Sequence, residues 1–210
     1  MKYVIGISLM CISLFVASCH RHSVVNGISC CAKALPVTDA SASHAIPGDA
    51  SIYQLPGTWR NQFDRPVSLD QLKGKVQVVA MVFTHCGYAC PRIVEDIKAI
   101  EDSLPRSERG NVGYVLVSFD SRRDNPARLG QFAAGHELDD HWQLLHGEPG
   151  QVRELSMLLN VKYQETTGGN FNHSNVICIL DKEGVIRQSI EGLDPQTATA
   201  INIIKDLVRR

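Results

Sequence analysis

Hydrophobic positions alternate between strand-like runs and helical spacing from about residue 51 onward. Residues 76–83 (VQVVAMVF) and 112–119 (VGYVLVSF) are nearly unbroken apolar runs rich in β-branched side chains, the composition of strands covered on both faces. Between them, Ile93, Val94, Ile97, Ile100 and Leu104 recur at helical spacing behind Pro91, a favoured first helical residue. Asn125-Pro126 opens a second helix carrying Leu129, Phe132 and Ala133. Trp142, Leu144 and Leu145 mark a third short strand, and Val152, Leu155, Leu158 and Leu159 the helix after it. Residues 175–180 and 185–190 flank Asp181-Lys182-Glu183-Gly184, a turn signal that predicts a hairpin. Asp194-Pro195 starts a last helix with Ala198, Ile201, Ile204 and Leu207. Ahead of all this, residues 51–55 predict a short opening strand. Residues 57–72 predict a turn-rich lead-in whose Trp59, Phe63, Val67 and Leu69 cover one end of the core. The order predicts an α/β domain over residues 51–210: a central mixed sheet flanked by helices, with a terminal β-hairpin.

Composition adds bounds. The chain has 210 residues, 44% of them hydrophobic, enough for one domain with a substantial core. Its formal net charge is −1 and no basic block stands out, which argues against nucleic acid as a partner. No repeat is visible.

The first 18 residues read as a signal peptide. Lys2 gives a positive start, and residues 3–16 form an almost uncharged apolar stretch, too short to span a bilayer comfortably. Val16-Ala17-Ser18-Cys19 resembles the lipobox of bacterial lipoproteins, which implies cleavage before Cys19 and lipidation of that residue. The expected location is the bacterial cell envelope, with the protein membrane-anchored and facing the periplasm or extracytoplasmic space, where disulfides persist. Residues 19–50, rich in Ser, Ala, His and Gly without apolar period, read as a flexible tether reaching roughly 30 Å. Of the seven cysteines, Cys19 is the anchor, and Cys30 and Cys31 lie in the tether as an unpaired or partner-bound couple. Cys178, inside an apolar strand, is a buried inert residue.

The chemistry concentrates in Phe83-Thr84-His85-Cys86-Gly87-Tyr88-Ala89-Cys90-Pro91, where a strand end turns into a helix N-terminus. Unpaired amide groups and the helix dipole there favour a thiolate, the form that attacks disulfides and binds soft metals. Positions i and i+4 share a helix face, so both sulfurs point to one spot. A structural disulfide, a redox dithiol and a metal site all satisfy that geometry. A reactive pair at the first strand–helix turn points to the thioredoxin-like fold. Among other candidates, His85 is expected in a packing or hydrogen-bonding role, and His136, His141 and His146 at the surface. Asp120 and Asp124 are expected to orient a histidine, meet a partner or cap the helix near Asn125.

The motifs together resemble the Sco/SenC family: Val82-Phe83-Thr84-His85-Cys86 with Cys90-Pro91, the preceding Gly74-Lys75-Val76, Val117-Ser118-Phe119-Asp120 with Asp124 and Pro126, and Asn172-His173-Ser174. The similarity covers residues 52–207. That family comprises membrane-tethered copper chaperones of cytochrome c oxidase assembly with a thioredoxin-like fold. The resemblance implies that Cys86, Cys90 and His173 hold one copper ion. It also implies an upstream copper donor and, as recipient, the copper-binding subunit of cytochrome c oxidase. Two thiolates suit Cu(I), and imidazole suits either oxidation state. Where the family usually carries Pro-Asp-Val between the cysteines, this chain has Gly87-Tyr88-Ala89, and Ser121 stands where a proline is usual. The alternative is a thiol–disulfide oxidoreductase that keeps the oxidase's copper-ligand cysteines reduced through the redox pair Cys86 and Cys90. Peroxidase chemistry and a purely structural lipoprotein are weaker alternatives.

Overall fold

The computed structural model describes residues 51–193 and 197–210. The signal peptide, Cys19, the tether with Cys30 and Cys31, and the predicted helix start at Asp194-Pro195 lie outside the described residues. Strands β1 (Trp59–Asn61), β2 (Pro66–Val67), β3 (Val76–Val82), β4 (Val112–Ser118) and β5 (Trp142–His146) are followed by β6 (Tyr163–Glu165), β7 (Phe171–His173), β8 (Val176–Leu180) and β9 (Ile186–Glu191). The helices are α1 (Ala89–Ser103), α2 (Arg106–Arg109), α3 (Pro126–Gly135), α4 (Pro149–Leu158) and α5 (Thr197–Arg209).

Seven strands form one sheet in the order β2-β1-β5-β4-β3-β8-β9. β3, β4 and β5 run parallel, while β8, β9, β1 and β2 join antiparallel. Parallel neighbours require crossovers, and α1 and α3 supply them. Every residue of β3, β4 and β8 is buried, which explains their lack of a polar face: helices cover both sides of the sheet's middle. Gln77, the one polar side chain in β3, donates its amide to the Leu72 carbonyl at 2.7 Å, so it is buried without losing that bond. This is the mixed, helix-flanked sheet that the alternation predicts. Among the described residues no helix is long and apolar enough to cross a membrane.

Five details differ from the sequence reading. The opening segment is a 3₁₀ turn, Ile52–Gln54, because the Ser51 hydroxyl accepts from the Tyr53 amide and closes it. Ser51 makes only an isolated bridge to Val185. The lead-in is itself a hairpin, β1–β2, added to the sheet edge beside β5. Trp59, Val67 and Leu69 are buried as expected, but Phe63 is 49% exposed. It sits in the turn before Asp64 (φ 59°), beneath the Arg65 guanidinium. α1 starts two residues before Pro91, so Cys90 is already helical. A proline is tolerated in that first turn because its missing N–H would have no intrahelical acceptor. Finally, β6 and β7 form a small separate hairpin absent from the sequence reading.

The turn between β8 and β9 runs Asp181 to Gly184, and the Asp181 carboxylate accepts the amides of Glu183 and Val185. Gly184 has φ +81°, and a Cβ there would lie 2.5 Å from the Tyr53 ring. Left-handed backbone and overlap with a buried ring act together. Gly184→Ala should therefore destabilise the domain by about 2 kcal/mol or more, read as a lowered urea midpoint with an unchanged slope.

Candidate metal centre

The parallel ladder between β3 and β4 ends with Val82 opposite Ser118, and the Phe119 amide donates to the Val82 carbonyl at 3.0 Å. Beyond that point the chain turns: the Cys86 amide donates to the Phe83 carbonyl at 3.2 Å, and α1 begins at Ala89. Two backbone amides are turned onto sulfur. The Phe83 N–H approaches Cys90 Sγ at 3.4 Å, and the Cys90 N–H approaches Cys86 Sγ at 3.3 Å. The second donor is one of the amides that a helix start leaves without an intrahelical acceptor. Both cysteines are free thiols, Cys86 half-buried and Cys90 buried.

His173, at the end of β7, brings Nε2 to 3.9 Å from Cys90 Sγ. Its Nδ1 lies 3.2 Å from the Ser174 carbonyl oxygen. A carbonyl only accepts, so Nδ1 carries a proton, which leaves Nε2 as the nitrogen that faces the sulfurs. Aromatic rings fix the plane. Phe83 meets the imidazole edge-on at 6.0 Å, Phe119 packs at 5.2 Å, and Tyr163 stacks behind Phe119 at 5.1 Å. The ligand atoms of Cys86, Cys90 and His173 all lie within 4.8 Å of one another. Three donors sharing one ion at about 2.0–2.3 Å sit about 3.5–4 Å apart. Only small side-chain shifts separate the arrangement from that spacing, and its S₂N donor set is soft.

The SCO1/SenC family profile matches residues 51–209. The chain belongs to the SCO1/SenC family. It is 34% identical over 104 residues to the SCO1 protein homolog of Bacillus subtilis (strain 168), a match spanning 49% of this chain and 53% of that protein. The chain thus spans about half of that relative's length. Among solved structures it resembles BsSco, a member of the Sco family of cytochrome c oxidase assembly proteins in which a disulfide switch was identified. There the identity is 25%, with a TM-score of 0.64 over 73% of this chain and 91% of that one. It shares the fold of Arabidopsis thaliana ScoI with copper bound, at 21% identity and TM-score 0.64, covering 73% and 96% of the two chains.

The other sequence candidates separate within this Sco framework. His85 is exposed, as a hydrogen-bonding residue beside the site: Nδ1 is 3.3 Å from Thr84 Oγ1 and 3.7 Å from Asp124 Oδ1, and Nε2 is 3.4 Å from a guanidinium nitrogen of Arg128. Asp120 and Asp124 do not cap α3, because the Asn125 side chain does so by accepting from the Arg128 amide. Nor does either reach His173 among the hydrogen bonds of that ring. Asp120 accepts from Arg123 Nε, and Asp124 from Thr84 and Ser118. Asp120, Asp124 and His85 also cluster within 4.8 Å, but both carboxylates are already engaged by these donors. His141 is exposed, whereas His136 and His146 are half-buried, His136 against the Phe132 ring at 4.3 Å. Cys178 is buried, as expected. Sequence reasoning missed the aromatic wall behind His173 and the Thr84–Asp124 contact. Gly168 and Gly169, both at positive φ between β6 and β7, are the signal that reveals the hairpin carrying His173.

Burial pushes the Cys90 thiol well above the ordinary cysteine range. The Phe83 amide opposes that shift, and the Cys86 and Asp124 charges add to it. Cys90 therefore stays protonated well above pH 8.5, the ordinary thiol value being about 8.5. The folded state holds this proton more tightly than the unfolded chain does. Its contribution to stability is complete below about pH 8.5 and is lost as pH rises beyond it. In the reduced, metal-free protein, Cys86 should be alkylated by iodoacetamide at least about tenfold faster than Cys90 from pH 7 to 9. Peptide mass spectrometry reads the two rates directly.

Proposed function

We propose that this chain is a membrane-tethered copper metallochaperone that carries one copper ion on Cys86, Cys90 and His173. The observation that carries the reading is the convergence of two thiols and one imidazole nitrogen within 4.8 Å. Membership of the SCO1/SenC family and the likeness to BsSco, a member of the Sco family of cytochrome c oxidase assembly proteins, support a role in oxidase assembly. Copper as cargo and the oxidase's copper-binding subunit as recipient are what the reading adds. Cys86 stands half-exposed at the front of the site and Cys90 is buried behind it. Copper arriving from an upstream donor meets the accessible thiol first, and departure to the recipient reverses that order by ligand exchange. Residues 19–50 serve as the tether and Cys19 as the lipid anchor, placing the domain on the extracytoplasmic face of the membrane.

Metal uptake must expel the Cys90 proton, so affinity rises with pH and weakens as pH falls. Oxidising Cys86 and Cys90 to a disulfide transfers two electrons and two protons to an acceptor disulfide and removes two of three ligands. A second reading draws on the same exposed–buried asymmetry. Cys86 attacks a disulfide of the recipient, releasing one recipient thiol, and Cys90 displaces the other, leaving the recipient reduced and the pair oxidised.

The full chain, reduced and kept in detergent, should bind about one copper under anaerobic titration. Cys86→Ser with Cys90→Ser should bind none, and His173→Ala should lose at least about tenfold in affinity. Wild-type affinity should drop from pH 8 to pH 6. Stoichiometry near one that survives loss of both cysteines sinks the chaperone reading. A His173→Ala strain that assembles oxidase normally, although the protein has lost copper, transfers the function to thiol reduction.

A further inference from the structure

Asp124 lies in the loop after β4, and its side chain has no solvent exposure. The carboxylate accepts three hydrogen bonds from two strand ends. Thr84 donates its amide to Oδ2 at 2.9 Å and its hydroxyl to Oδ1 at 2.5 Å, and the Ser118 hydroxyl donates to Oδ2 at 2.6 Å. The loop holding Asp124 is closed on itself by the Asp124 amide, which donates to the Asp120 carbonyl at 3.0 Å. Thr84 is not a bystander. It is the first inner residue of the turn closed by the Cys86 amide on the Phe83 carbonyl, so gripping Thr84 fixes the turn that presents Cys86. On the other side of Cys86, Gly87 faces open space and Tyr88 is 77% exposed, so the Cys90 amide on Cys86 Sγ is the contact that ties the residue to α1.

We propose that Asp124 is a positioning residue of the metal centre: its buried carboxylate continues the ended β3–β4 ladder and sets Cys86 over Cys90. The proposal rests on the copper reading of this site, and it adds a residue that is not itself a ligand. A carboxylate suits the task because it only accepts, and here three donors converge on its two oxygens. Asparagine tests geometry apart from charge. Its oxygen can take the Thr84 amide and the Ser118 hydroxyl while its NH₂ group donates to the Thr84 hydroxyl, which also accepts. Alanine removes all three contacts.

Two measurements on the full chain in detergent decide the matter, with folding checked by circular dichroism. One is Cu(I) affinity against a chromophoric chelator. The other is the equilibrium of the Cys86–Cys90 pair with glutathione, in which two protein thiols and one oxidised glutathione give the protein disulfide and two reduced glutathiones. Asp124→Ala should weaken Cu(I) binding at least tenfold and disfavour the intramolecular disulfide at least fivefold, because a loosened turn lowers the effective concentration of one sulfur near the other. Asp124→Asn should restore both to within about twofold of wild type, and Thr84→Val, which loses the hydroxyl contact but keeps the amide and Ser118 contacts, should fall between. A folded Asp124→Ala with wild-type values in both assays overturns the proposal. So does an Asp124→Asn as impaired as the alanine variant, since charge and not position would then be the requirement. If Asp124→Ala does not fold, Thr84→Val decides: unchanged values overturn, a shift in both supports. If wild type itself binds no copper, the metal reading fails alone and the glutathione equilibrium still judges Asp124.

Discussion

The Phe83 amide, at the point where β3 leaves the sheet, points at the sulfur of Cys90 and not at another strand. A second donor, the Cys90 amide at the start of α1, points in turn at the sulfur of Cys86. A strand end and a helix start both leave backbone donors without backbone acceptors, and here sulfur takes them up. Each sulfur is thereby held by main chain, which the packed sheet makes rigid. The rest of the site depends on that arrangement.

Rigidity on the cysteine side makes the contribution of His173 comprehensible. The histidine belongs to a two-stranded hairpin outside the main sheet, a less heavily buttressed element. Its ring is nevertheless fixed from both directions, by the Ser174 carbonyl on Nδ1 and by Phe83 and Phe119 against its face and edge. Phe83 and Phe119 are the residues next after β3 and β4, so the same strand ends that place the sulfurs also place the wall behind the imidazole. One local feature, the end of the parallel ladder, sets all three donors.

The two thiols are not equivalent. Cys90 faces the core and is driven toward its neutral form by burial, while Cys86 stands half-exposed on a turn bordered by Gly87 and Tyr88. A site meant to keep its metal indefinitely gains from burying every ligand. On the proposed reading as an exchange site, one ligand must be within reach of an incoming or outgoing partner, and the asymmetry between residues 86 and 90 fits that need. Gly87-Tyr88-Ala89 between them leaves an exposed aromatic at the lip, where the family usually has an acidic residue.

Residues 76–83 and 112–119 determined the central strands by themselves, because a strand covered on both faces has no polar positions to disguise it. The CxxxC at a strand–helix junction was legible as a candidate for sulfur chemistry. Its spacing left a structural disulfide, a redox dithiol and a metal site open, and Cys86 stands in the turn before α1 and not on the helix. The partner histidine did not follow from spacing, since 83 residues separate His173 from Cys90. Only the fold, which pairs β3 with β8 and hangs the β6–β7 hairpin over the strand ends, brings them together. Short hairpins such as β1–β2 and β6–β7 escaped the pattern because two or three residues carry no measurable period. Asp124 was visible as a residue but not as a contact. Whether a carboxylate caps its own helix or grips a turn 40 positions away is decided by which unpaired donors the tertiary structure leaves in front of it.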